Sequence, residues 1–153
     1  MMFKFRLEPA LRVRKWTEEK LQQELAQCQI AWKAALACLA ALENQKSRYR
    51  AELQDRQGRG ITAAEMDLYR AYLERLGTEI LHQQDTVREL ELAAEAKRVE
   101  LVEASKKKKV LERLKEKKQQ AYVYEETRQE TRILDEIAGQ NRLREEGNEQ
   151  RRS

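Results

Sequence analysis

The chain is poor in most of what builds a globular core or a catalytic pocket. It has one proline (Pro9), one histidine (His82) and five glycines, and aromatic residues make up only 6% of it. With a single proline near one end, nothing interrupts a helix over most of the length, and few glycines leave few places to turn. One histidine and two cysteines, Cys28 and Cys38, are too few for a zinc site, which takes about four clustered ligands. The cysteines face different sides of a helix and cannot bridge within it, so no disulfide framework is expected and a reducing cytoplasm fits. The longest apolar run, Ala34 to Leu42, is about half of what a membrane span requires. The amino terminus also lacks the apolar core of a signal peptide. Gly58 and Gly60 lack the Lys-Ser/Thr that follows a phosphate-binding loop. These absences predict a soluble, non-enzymatic chain with no cofactor, no metal and no direct membrane insertion.

What is abundant is charge of both signs. Charged residues make up 38% of the chain, and Ala, Glu, Lys, Leu, Arg and Gln dominate, the profile of a long helix or coiled coil. Disorder is the rival for so polar a composition. It is disfavoured because the charges are mixed in sign and the apolar residues recur regularly. The net charge of +4 is uneven. Ten basic and four acidic side chains lie between Lys97 and Gln120, an excess of six that leaves the remainder slightly acidic. An acidic partner is expected to dock on that stretch.

The decisive pattern is a 3.5-residue period. Steps of four and three from Leu7 reach Leu11, Arg14, Glu18, Leu21, Leu25, Cys28, Trp32, Ala35, Leu39, Leu42, Lys46, Tyr49, Leu53 and Arg56. Eleven of these fifteen positions, Leu7 included, are apolar, which is the seam of a left-handed coiled coil. Pro9 sits near the start, where its missing N–H costs nothing. The seam breaks at Gly58-Arg59-Gly60, a turn signal. A second helix then starts with Thr62 as N-cap, Glu65 completing a capping box, and Ile61 and Met66 at the spacing of a hydrophobic staple. A second seam follows through Met66, Tyr69, Leu73, Leu76, Ile80, Gln83, Val87, Leu90, Ala94, Lys97, Leu101, Ala104, Lys108 and Leu111. Gly77 lies off it and should cost about 1 kcal/mol without ending the helix.

Folding the chain at the glycine turn brings the seams into one register. Leu53 meets Met66, Tyr49 meets Tyr69, Leu39 meets Ile80, Trp32 meets Val87 and Leu7 meets Leu111, each pair of residue numbers summing to the same constant within one. The predicted fold is all-α, a long two-helix antiparallel coiled-coil hairpin with an overhanging C-terminal helix, in a single domain over 1–153. Helix one is expected over about 7–56, the turn over 57–61 and helix two over about 62–138, with 139–153 a disordered tail beginning at Gly139. Because helix one runs out near Leu7, the stretch from about Glu112 to Ala138 should overhang by roughly 40 Å.

A two-stranded coiled coil has no interior in which to assemble convergent catalytic groups. His82, off the seam, reads as a solvated surface residue. Lys106, Lys107, Lys108 and Lys109 read either as a solvated face or, since they lie where the seam fades, as surface left for an acidic protein cavity or for phosphates. The run contains no aromatic residue for base stacking, so specific nucleic-acid reading is not expected, whereas nonspecific binding stays open. Trp16 points outward from the seam and Tyr72 stands beside it, and both are interaction candidates as well as ordinary exposed aromatics.

Four stretches carry a family resemblance. They are Phe3-Lys4-Phe5-Arg6-Leu7-Glu8-Pro9-Ala10-Leu11; Gly60-Ile61-Thr62-Ala63-Ala64-Glu65 with Tyr69-Arg70-Ala71-Tyr72-Leu73-Glu74-Arg75-Leu76; Lys109-Val110-Leu111-Glu112-Arg113-Leu114-Lys115-Glu116-Lys117-Lys118; and Leu134-Asp135-Glu136-Ile137-Ala138. In this order and spacing they resemble the FliJ family of the flagellar type III export apparatus. The resemblance implies a protein like the central stalk of rotary ATPases. Such a protein would insert its terminal end into the export ATPase hexamer, contact the membrane-embedded export gate and help recycle export chaperones. It would be cytoplasmic and held peripherally at the membrane through the apparatus. On that mapping Trp16, Lys106, Lys107, Lys108, Lys109, Arg113 and Leu114 would face the ATPase. A gate patch would lie around Leu42, Tyr49, Tyr72 and Leu76, where Leu42, Tyr49 and Leu76 also read as seam core. The stalk protein of a virulence secretion system is a near alternative, and a basic coiled coil binding nucleic acid nonspecifically is a distant one.

Overall fold

The two seams produce two helices, α1 over Glu8–Arg59 and α2 over Ala63–Arg152, in a computed structural model that describes residues 2–152. No strand occurs among the described residues. The chain divides into two packing units. One is Trp16–Ser105; the other joins the segment before Trp16 to the segment after Ser105. In each, α1 packs on α2.

The Trp16–Ser105 unit contains the hairpin tip. Gly60 is the one described residue with positive φ, +100°, a conformation that a Cβ would oppose. Residues 60–62 make the whole connection, so α1 runs to Arg59, past the expected end at 56, and Gly58 remains helical. Thr62 caps α2 as its sequence predicts: the Glu65 N–H donates to Thr62 Oγ1 at 3.2 Å and the Met66 N–H to the Thr62 carbonyl at 3.0 Å. The Glu65 carboxylate lies 3.9 Å from the Arg56 guanidinium across the turn.

The seam then packs outward from the tip. Leu76, Ile80 and Ala35 are buried, and every α2 position that the period selects from Met66 to Leu111 is at least partly buried. Most are only half-buried, because two helices cannot enclose a side chain that four would. Of the first seam's positions, Leu7, just before α1, and Arg14 and Arg56 within it are exposed. Polar side chains fix the register. Gln83 donates to the Ala35 carbonyl at 3.1 Å, and Lys97 pairs with Glu24 at 2.8 Å. Tyr49 meets the ring of Tyr72 (centroids 4.4 Å apart), whereas Tyr69, its expected partner, donates to Glu52 at 3.0 Å. Each knob in such a seam sits among four partner residues, so a ring reaches the neighbour one turn away.

Part of α1 has a mean hydropathy of 1.4 and by length and composition alone could cross a membrane, which the run from Ala34 to Leu42 taken by itself did not indicate. The alanines cause this, since they add hydropathy on every side of the helix, while Ala35, Leu39 and Leu42 of the same stretch lie in the seam.

In the other unit, residues 2–7 precede α1 as a strap along α2. Phe3 stacks at a tilt on Tyr122, centroids 5.6 Å apart, and Phe5 is half-buried. The Glu8 N–H donates to the Phe5 carbonyl and the Leu11 N–H to the Leu7 carbonyl, which leaves Leu7 as a cap with no side-chain acceptor. Pro9 in the first turn presents no N–H to satisfy. Glu8 pairs with Lys115 at 2.9 Å. Leu11 is 1% exposed, the most deeply buried large side chain.

The strap changes where the overhang begins. Instead of starting near Glu112, the uncovered part of α2 starts after Tyr122, beyond which every described residue is exposed. The helix also continues through Gly139 to Arg152, where a disordered tail was expected. Glycine keeps its N–H and costs only about 1 kcal/mol against alanine. Its neighbours Ala138, Gln140, Arg142 and Leu143 include strong helix formers.

Two outcomes follow from this packing. A Cβ on Gly77 would meet Lys46 Nζ at 3.6 Å, an ordinary contact, so Gly77→Ala should stabilise the hairpin by up to about 1 kcal/mol in urea unfolding. The hydrogen bond from Lys97 holds the Glu24 carboxyl below its ordinary value of 4.5, against the opposing effect of burial, and its partner raises Lys97 above 10.5. The Glu24 contribution is therefore present above pH 4.5 and lost as pH falls through the depressed value; that of Lys97 is lost as pH rises past its raised one. Glu24→Gln should flatten both flanks of the melting temperature against pH. Unchanged flanks would mean that the pair contributes nothing.

Candidate partner-binding surfaces

The basic end is denser than its linear sequence shows. Segments 1–15 and 106–120, joined by Glu8–Lys115 and continued by Phe3–Tyr122, together carry thirteen basic and three acidic side chains, an excess of ten. Lys106, Lys107, Lys109 and Arg113 are exposed. Lys108 is half-buried at its seam position, 3.8 Å from Glu112, and Leu114 is half-buried. The lysine run thus splits into one seam residue and three outward ones, as a helix requires of four consecutive positions.

The strap residues Lys4 and Arg6, with Arg12 and Arg14, belong to this basic surface, and counting charge along a window misses them. A signal was present in Phe3-Lys4-Phe5-Arg6-Leu7, where apolar and basic residues alternate with the period of an extended segment. Trp16 stands in the other unit, 61% exposed, with Lys20 Nζ 5.3 Å from its ring centroid. The lysine cation over that ring partly occupies the face that Trp16 would offer a partner.

The second surface lies on the body of the Trp16–Ser105 unit. Gln45 Nε2 donates to the Tyr72 hydroxyl at 2.7 Å, and the Tyr49 ring lies against Tyr72. Partial burial, with Tyr49 beside it, raises the Tyr72 hydroxyl above its ordinary value, so it stays protonated and able to donate. Leu76 is 3% exposed and Leu42 half-buried, so of these four residues only the two tyrosines offer polar atoms near the surface. Leu76 and Leu42 hold them up from within the seam.

The remaining chemistry-bearing residues are scattered. Cys28 is half-buried, Cys38 and His82 are exposed, and no group of three metal-ligating side chains forms among the described residues. Each surface carries an open groove, one beside Gln45 and Tyr49 and one between the strap and Leu114 and Lys118.

Comparison with known proteins agrees with this architecture. A solved structure of a YscO homologue from Chlamydia trachomatis matches with a TM-score of 0.52, covering 90% of this chain and 93% of that one. At 20% identity the likeness concerns the fold alone. No curated protein matches. The family described as flagellar FliJ protein matches residues 3–147, nearly the whole sequence. The chain belongs to the FliJ family, and is thereby a coiled-coil component of the type III flagellar export apparatus.

Proposed function

We propose that the chain works as a stalk, placing its basic end in the ring of the flagellar export ATPase and meeting the export gate through the body of the hairpin. The observation that supports this most is the coincidence of three features at one end: an excess of ten basic charges, the end of the seam, and a helix uncovered beyond Tyr122. Unpaired helix next to concentrated charge suits entry into a cavity lined by acidic residues, where electrostatic steering aids docking. Lys106, Lys107, Lys109 and Arg113 supply the outward cations in this reading, Lys108 and Leu114 support them from the packed side, and Trp16 is a further contact. Tyr72 and Tyr49, held by Leu42 and Leu76, form the gate-facing patch. Export chaperones are the third class of partner, and the chain stays on the cytoplasmic side, held at the membrane through its partners. The family match names a flagellar protein, which favours that machine over a virulence secretion system.

The test mixes the full chain with the export ATPase of its own organism and follows hexamer assembly and ATP turnover. Both should rise, and replacing Lys106 to Lys109 with glutamate should abolish the rise while circular dichroism shows nearly unchanged helicity. Turnover that is indifferent to the chain at every concentration and salt would overturn the stalk reading. Loss of helicity in the variant would instead mark the run as structural, and Arg113→Glu, at an exposed position, then carries the same test.

A further inference from the structure

The basic charge of α2 is aimed in one direction. Lys106, Lys109, Arg113 and Lys117 follow at steps of three, four and four residues and so line one face of the helix over about 17 Å. All four are exposed, while Lys108, Leu111 and Lys115, on the opposite face, are partly buried. Val110 stands among these cations with 65% of its surface exposed, and Tyr124, 69% exposed, continues the face seven residues beyond Lys117. The strap and the first turns of α1 add Lys4, Arg6, Arg12 and Lys15 to the local field.

We propose that this face of α2 is a docking surface for anionic phospholipid headgroups, on which the chain adsorbs to a membrane with no segment crossing it. A straight helix face meets a plane along its whole length. Its cations would sit among the phosphates, while Val110 and Tyr124 enter the boundary between headgroups and acyl chains. Nucleic acid suits the face less well, because no aromatic side chain lies among the four cations to stack on bases and Val110 has no use against a phosphate backbone. The excess of ten charges supplies the complementarity, and at surfaces each facing cation strengthens adsorption by about fivefold. Lys106, Lys109 and Arg113 also belong to the contact proposed for the ATPase, so lipid and ATPase would compete for this face. The lipid inference does not rest on the ATPase reading.

Flotation of the full chain with vesicles, with no ATPase present, separates the two. Vesicles of phosphatidylcholine containing about a third phosphatidylglycerol should carry the chain at low salt and release it near 0.5 M, where screening is short-ranged. Vesicles of phosphatidylcholine alone should not carry it. Reversing Lys109, Arg113 and Lys117 to glutamate should weaken binding by at least a hundredfold, and Val110→Asp by several-fold, with helicity retained. The steepness of wild-type binding against phosphatidylglycerol fraction tests the same claim without any variant. No flotation at low salt, equal flotation on the neutral vesicles, or undiminished binding by the reversed variant would each overturn the assignment. So would single-stranded RNA that strips the chain from vesicles at equal phosphate concentration.

Discussion

Two helices of this length stay together only because apolar side chains return to the same edge every three and a half residues. The contact is narrow. Leu11, Ala35, Leu76, Ile80 and Ala104 are the only buried residues among those described, and the rest of the seam is half open to water. Stability is therefore spread thinly along the length, and no small cluster carries it. Polar groups in and beside the seam do the selecting. Gln83 on the Ala35 carbonyl, Lys97 on Glu24 and Lys46 beside Gly77 each fit one alignment of the helices and would be left unsatisfied or clashing after a slip.

Because the apolar edge is consumed by the hairpin, recognition is left to the outward faces, and charge divides them. The Trp16–Ser105 unit carries sixteen acidic and twelve basic side chains, whereas segments 1–15 and 106–120 carry the strong basic excess. The one is mildly acidic and the other strongly basic, so by charge alone they would favour partners of opposite sign. This polarity is a property of the sequence that folding concentrates, since the strap and the first turns of α1 return five cations to the side of eight others.

Much of the fold was legible because its causes are local and periodic. Every α2 seam position picked by stepping in fours and threes is at least partly buried, and Thr62 caps as its side chain dictates. The departures have causes that periodicity does not encode. The turn narrowed to residues 60–62 because only Gly60 needs positive φ and Gly58 stays helical. The overhang moved from Glu112 to beyond Tyr122 because Phe3 and Phe5 pack as an extended strap, which a search for helical spacing passes over. The Tyr49–Tyr72 contact and the splitting of the lysine run depend on side-chain direction, which a one-dimensional charge count cannot supply. Trp16 was read correctly as outward, but the lysine over its ring was not foreseen.

The antiparallel hairpin also sets an order of events in time. Contacts across it span nine residues of chain at Gln57–Met66, twenty-seven at Gln45–Tyr72, forty-eight at Gln83–Ala35 and seventy-three at Lys97–Glu24. Each is cheap to close only once the one nearer the turn has formed, so the hairpin closes like a zipper from Gly60 outward. On the ribosome this inverts the order of synthesis. Phe3, made well before Tyr122, finds its place only when Tyr122 has emerged, and the strap that completes the basic end is the last part of the hairpin to close.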